Sequence, residues 1–98
     1  MEPQMRIEFT TQVFKEGKTY VAYTPELDVS SCARTEEKAR KNLIEAVRLF
    51  LEEAGKMGTL DQILGEAGYV RRRRTLEAPK LISVERAAIP LPLVHGKT

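Results

Sequence analysis

A chain of 98 residues is one domain by length, and at that size folding removes only about 60–70% of the unfolded chain's surface from water. The single cysteine, Cys32, excludes an internal disulfide framework and any CxxC metal site, and no apolar run approaches the ~20 residues that span a bilayer. The net charge of +2 hides a split: residues 1–70 hold 9 Lys/Arg against 12 Asp/Glu, and residues 71–98 hold 7 against 2.

A mildly acidic unit (1–70) followed by a basic extension (71–98) is therefore expected, an asymmetry that suits an acidic partner. With so small a core, self-association is the default expectation. Glu2 stands where a secretory signal would carry basic residues, and no apolar segment follows it. The expected location is the cytoplasm, with no membrane contact.

Met5, Ile7, Phe9, Thr11 and Val13 alternate with polar residues, the period of a strand with one buried face. Lys15-Glu16-Gly17-Lys18 reads as a turn into the β-rich Thr19–Tyr23, so a hairpin is expected. Pro25 ends the second strand, and Val29–Arg34 reads as a third, extended and small, over which a helix packs closely. Thr35 is a good N-cap, followed by Glu36 and Glu37 at the positive end of the helix dipole. Ala39, Leu43, Ala46, Val47, Phe50 and Ala54 repeat at helical spacing, and Gly55 stands as the terminating glycine. Ile44 and Leu49 widen the apolar surface beyond one stripe. Thr59-Leu60-Asp61-Gln62 matches a capping box for a shorter helix stopped by Gly68. Beyond Tyr69 lie Arg71–Arg74 and then Lys80–Ile89, which reads as a last strand ended by Pro90 and Pro92, with a frayed end after it. The expected fold is α+β: a three-stranded antiparallel sheet of ββα type with a long and a short helix on one face, and a C-terminal strand over 80–89. Its expected core is Ile7, Phe9, Val21, Tyr23, Leu43, Val47 and Phe50.

The run Tyr20-Val-Ala-Tyr-Thr-Pro-Glu-Leu-Asp-Val-Ser-Ser-Cys32, with Thr35-Glu-Glu-Lys-Ala39 and Asn42–Glu52, resembles the HicB family of antitoxins. The family pattern is a strand ending in Y-x-A-x-x-P-[DE]-L, a short extended segment, then T-x-E-E-A opening an amphipathic helix. The likeness spans residues 5–55, and its linked spacing is more specific than any one short motif. It implies a partial ribonuclease-H-like fold without nuclease chemistry, in a protein that binds and blocks a small, basic, HicA-like toxin that cuts mRNA. Many family members also repress their operon through a C-terminal helix-turn-helix or ribbon-helix-helix domain. The residues after Gly68 hold no capped amphipathic helix, so operator binding of that kind does not fit this chain.

Enzyme chemistry finds little support. A ribonuclease-H site needs carboxylates converging on two metal ions, whereas Glu8, Glu26 and Asp28 are explained by surface and turn positions. Cys32, in a strand between Ser31 and Ala33, reads as a small buried residue. His95 is the only histidine and lies in the frayed end, and Ser30 and Ser31 lack a base partner. No catalytic residue, cofactor or metal is expected.

The primary expectation is thus an antitoxin-like module of a type II toxin–antitoxin system. Tyr20, Glu26, Asp28, Glu45 and Glu52 are its candidate partner contacts, because an acidic front complements a toxin that handles RNA. The alternatives are an orphan homo-oligomer, dimer or tetramer, built through the tail strand (Leu81, Ile82, Val84) by strand addition, and a nucleic-acid-binding module using Arg71, Arg72, Arg73 and Arg74. An extended arginine run puts only about two of its side chains on one surface, so a solvated edge that discourages edge-to-edge pairing is the plainer reading. Leu91, Leu93 and Val94 would follow the tail strand onto a partner.

Overall fold

The computed structural model describes residues 4–93; Val94 and His95 lie outside them. Two small sheets form. In one, β2 (Gln12–Glu16), β3 (Thr19–Thr24) and β4 (Val29–Ala33) are antiparallel in that order. In the other, β6 (Thr75–Glu77) lies between β1 (Arg6–Ile7) and β5 (Val70–Arg72). The helices are α1 (Glu36–Met57) and α2 (Leu60–Glu66). The expected α+β class, three-stranded antiparallel sheet, long helix and short helix are all present.

The hairpin turns on Gly17-Lys18, setting Glu16 opposite Thr19 and Phe14 opposite Val21. On β4 the pairing continues as Val21 opposite Cys32 and Ala22 opposite Ser31. Strand residues alternate between faces, so Val13, Ala22 and Thr24 share the face beneath α1 while Phe14, Val21, Tyr23 and Cys32 share the other. Ala22, Ala39, Leu43 and Val47 are buried together where α1 crosses the sheet, with Leu27 and Leu64 closing the cluster. Ala22 on β3 and Ser31 and Ala33 on β4 allow that close approach.

Thr35 caps α1 as expected, its hydroxyl accepting from the Lys38 amide at 3.1 Å. The helix does not stop at Gly55. It runs on to Met57, and Gly58 takes the left-handed conformation, with Gly58 donating to Gly55 and Thr59 donating to Ala54. The expected capping box at Thr59 is not formed. Thr59 bonds back to the Ala54 carbonyl and Gln62 reaches forward to Glu66, because the preceding helix end already claims the threonine. Gly68 ends α2 in the same way, with Gly68 donating to Gly65 and Tyr69 to Leu64. Its φ of 86° and a contact that would set a Cβ 3.1 Å from the Pro79 ring require glycine there.

Further expectations need correction. Residues 5–13 are not one strand, because the chain changes sheets between Ile7 and Gln12. Val21 and Tyr23 alternate away from α1, so the buried residues of β3 are Ala22 and Thr24. No strand forms over 80–89. The C-terminal strands are β5 and β6, a hairpin around Arg73-Arg74 that returns Leu76 to the core alongside Ile7. The folded body therefore runs past the boundary expected at residue 70, as far as Ala78.

Candidate functional site

The segment joining the two sheets, Glu8–Thr11, is held by side chains. Arg6 donates its amide to the Arg74 carbonyl just before β6, and Glu8 donates to Leu76 on β6. Beyond them the pairing stops, and the Tyr69 hydroxyl donates to the Glu8 carbonyl. The Glu26 carboxylate accepts from the Thr10 amide at 2.8 Å, from the Thr10 hydroxyl, and from the Thr24 hydroxyl at 3.0 Å. Burial works to raise the Glu26 carboxyl, but the bonds from Thr10 and Thr24 outweigh it and leave it below its ordinary value. Burial pushes the Tyr69 hydroxyl up to about 12, reinforced by the charges of Glu26 and Glu8.

The turn Pro25–Asp28 has a structural reason at each position. Thr24 is fully buried and Leu27 inserts into the core. Asp28 adopts a φ of 57°, its amide donating to the Thr24 carbonyl at 2.9 Å. Aspartate tolerates that region better than most residues. Its carboxylate accepts from the Tyr23 hydroxyl at 3.0 Å, a bond that raises the Tyr23 pKa, aided by burial and the Asp28 charge. Glu26 and Asp28 are thus engaged within the chain. Tyr20 leans toward the helix side with the Lys15 ammonium 5.6 Å from its ring centre.

Of the expected partner contacts, Glu45 and Glu52 stand on the outward face of α1. Glu36 pairs with Arg40, and Glu45 with Arg48 at 3.6 Å, both exposed, where such pairs add little stability. Ile44 and Leu49 flank this stripe, 50% and 56% exposed. They are large aliphatic groups in water, and a helix needs only one stripe for its own core. An exposed surface mixing aliphatic and charged groups is suited to a protein partner, with the apolar residues supplying burial and the charges selectivity.

The four arginines are spread around the β5–β6 hairpin. Arg71 lies opposite Leu76, and Arg72 opposite Thr75 on the other face, with its guanidinium 3.1 Å from Glu77. Arg73 sits in the turn with φ 57°, and Arg71 Nε donates to its carbonyl at 3.2 Å. All four are exposed, but they do not converge on one surface.

Glu8, Glu26 and Asp28 do not converge either, and among the described residues no group of three His, Cys, Asp or Glu could hold a metal. Cys32 is exposed on the uncovered sheet face, not buried; its position opposite Val21 in register decides this. Open grooves of about 490 Å³ and 470 Å³ run beside Thr10 and Pro79, lined by Glu26 and Glu66 in one and Glu8 and Glu77 in the other. Sequence reasoning missed Thr10 and Tyr69. Both act on residues far along the chain, and no local pattern signals such pairing. No described helix is long and apolar enough to cross a membrane.

No family model matches the chain, and no curated protein or solved structure matches it.

Proposed function

We propose that this chain is an antitoxin-like protein-binding module of the HicB kind, acting in the cytoplasm to neutralise a small, basic, HicA-like toxin that cleaves mRNA. The observation that carries this reading is the outer face of α1, where exposed Ile44 and Leu49 flank Glu45 and Glu52. Such a face gives a basic partner an aliphatic anchor and a charged rim. The resemblance of Tyr20–Cys32 and Thr35–Glu52 to HicB antitoxins supplies the identity of the partner class. Glu52 carries no ion pair among the described residues and stands ready to meet a lysine or arginine.

The test is a tagged pull-down from the native host with bound proteins identified by mass spectrometry. A small basic protein with a double-stranded-RNA-binding pattern is expected, and Ile44→Asp with Glu52→Lys should abolish its capture and its neutralisation in a growth assay. Recovery of the bait alone, or capture indifferent to both substitutions, would overturn the proposal.

A further inference from the structure

The stretch after Ala78 is unlike the rest of the molecule. Pro79 rests on Gly68 at its root, and Val84 and Arg86 then pass beside Gln12 and Phe14 of β2. No hydrogen bond or ion pair ties residues 79–93 to the body among the described residues. Leu81, Ile82, Val84, Ile89, Leu91 and Leu93 are between 63% and 84% exposed. The radius of gyration is 17.6 Å, against about 13 Å for a compact chain of this length. The extents of 66 × 29 × 28 Å show the cause, an arm standing well clear of the body. Residues 87–93, beyond the stretch beside β2, span about 23 Å when extended, at ~3.3 Å per residue.

We propose that residues 79–93 form an exchange arm, docking on the free edge of β2 and on the uncovered sheet face of a second copy of this chain. The arm reaches Phe14 by Val84 and Arg86, so only Lys15 and Glu16 of its own β2 lie ahead. Ile89, Leu91 and Leu93 therefore project past the sheet to which they are attached, and an extended arm places them on another molecule. The receiving surface is present in every copy. The far edge of β2 carries no strand in the sheet order β2-β3-β4, and Phe14, still 46% exposed beside its own Val84 and Arg86, forms with Val21 and Cys32 a row across the face opposite α1.

The prolines determine what kind of assembly follows. Ile89, Leu91 and Leu93 alternate with Pro90 and Pro92, so in a strand the two prolines turn their donor-free nitrogens to the same side. The arm pairs through one edge only and ends the sheet it joins. Reciprocal exchange about a two-fold axis closes on itself, giving a dimer and no open chain of molecules. With the arm and the receiving strands, roughly 20 residues from each copy enter the interface, as in a standard protein–protein contact. Lys80 and Arg86 against Glu85 give the arm a small positive charge, which does not oppose docking on a partner.

The solution mass of the full-length chain by sedimentation equilibrium is the test. Twice the 11.1 kDa chain mass is expected. Ile89→Asp combined with Leu91→Asp, and separately Phe14→Asp, should each return the monomer with the far-ultraviolet circular dichroism unchanged. All three sites are at least 46% exposed, and the unchanged circular dichroism checks that each variant keeps its fold. Ile44→Asp, on the opposite side, should remain dimeric while losing toxin capture, which separates failure of this inference from failure of the functional proposal. A monomeric full-length chain, a dimer insensitive to the arm and Phe14 substitutions, or a mass that grows without limit with concentration would each overturn it.

Discussion

The two faces of the β2–β3–β4 sheet are built from alternate residues of the same strands, yet they have opposite fates. Under α1 lie Val13, Ala22 and Ala33, small or β-branched and packed against Ala39, Leu43 and Val47. On the other side Phe14, Val21 and Cys32 meet no helix or second sheet, only the tail passing Phe14 at Val84 and Arg86. A sheet buried on one face ordinarily carries polar residues on the other, so the aliphatic and aromatic row opposite α1 costs solubility without contributing to this chain's own core. The lesson is a division of labour: one face packs the core, and the other carries apolar groups that the core does not use.

That division is tested first on the covered side. Leu43→Ala should lower the unfolding free energy by about 2–5 kcal/mol, since Leu43 is fully buried where α1 meets the sheet; urea denaturation reads this directly. A smaller loss, about 1–3 kcal/mol, is expected for Glu26→Ala, which strands the buried Thr24 hydroxyl and releases the Thr10 segment. The same carboxylate makes stability depend on pH. Its folded pKa lies below its unfolded value, so its contribution is present above the unfolded value near 4.5 and is lost as pH falls through the folded one. Thermal melts on the acid side should show that loss in the parent and not in Glu26→Ala.

Tyr69→Phe removes the bond to Glu8 that fixes the sheet crossover and should cost about 1 kcal/mol. Here the sign is reversed. A hydroxyl raised from 10.0 to about 12 in the folded chain contributes stability that is present below pH 10 and is lost as pH rises toward 12. Alkaline melts of the parent and of Tyr69→Phe should converge over that interval. Arg73→Gly should raise stability by roughly 1 kcal/mol by relieving a left-handed backbone at a residue with a Cβ. The smallest effect belongs to the open face: in chains already carrying Ile89→Asp and Leu91→Asp, Phe14→Ser should change unfolding by less than about 0.5 kcal/mol. A larger loss would mean that Phe14 supports the monomer, and the contrast between the faces would collapse.

Local signals were strong enough to reveal α1 with its Thr35 cap, a hairpin whose expected turn Lys15–Lys18 narrows to Gly17-Lys18 because Lys15 and Glu16 extend β2, and the turn after Pro25. Each is specified by residues within a few positions of one another, through helical periodicity, a glycine turn or a missing amide donor. Thr35 caps through Lys38, three residues on, and the acidic stripe of Glu45 and Glu52 follows from the same helical spacing. The errors share a different cause. Gly55 and Gly58 are both glycines near a helix end, and only the meeting of α1 with α2, where Thr59 donates to Ala54, selects the second. Val21 and Ala22 both suit a strand, and which of them faces the core depends on where α1 lies.

The chain by itself thus determined the α+β class, the order of the major elements and the exposed face of α1, because propensity, capping and periodicity act over short separations. Tertiary structure alone decided that residues 5–13 divide between two sheets, that the arginines turn a hairpin, and that Lys80–Ile89 passes beside β2 without forming a strand. Those outcomes rest on pairs such as Tyr69 with Glu8 and Leu76 with Ile7, more than 60 residues apart. Distant groups of this kind compete for the same backbone partners, and only the folded chain settles which of them meet.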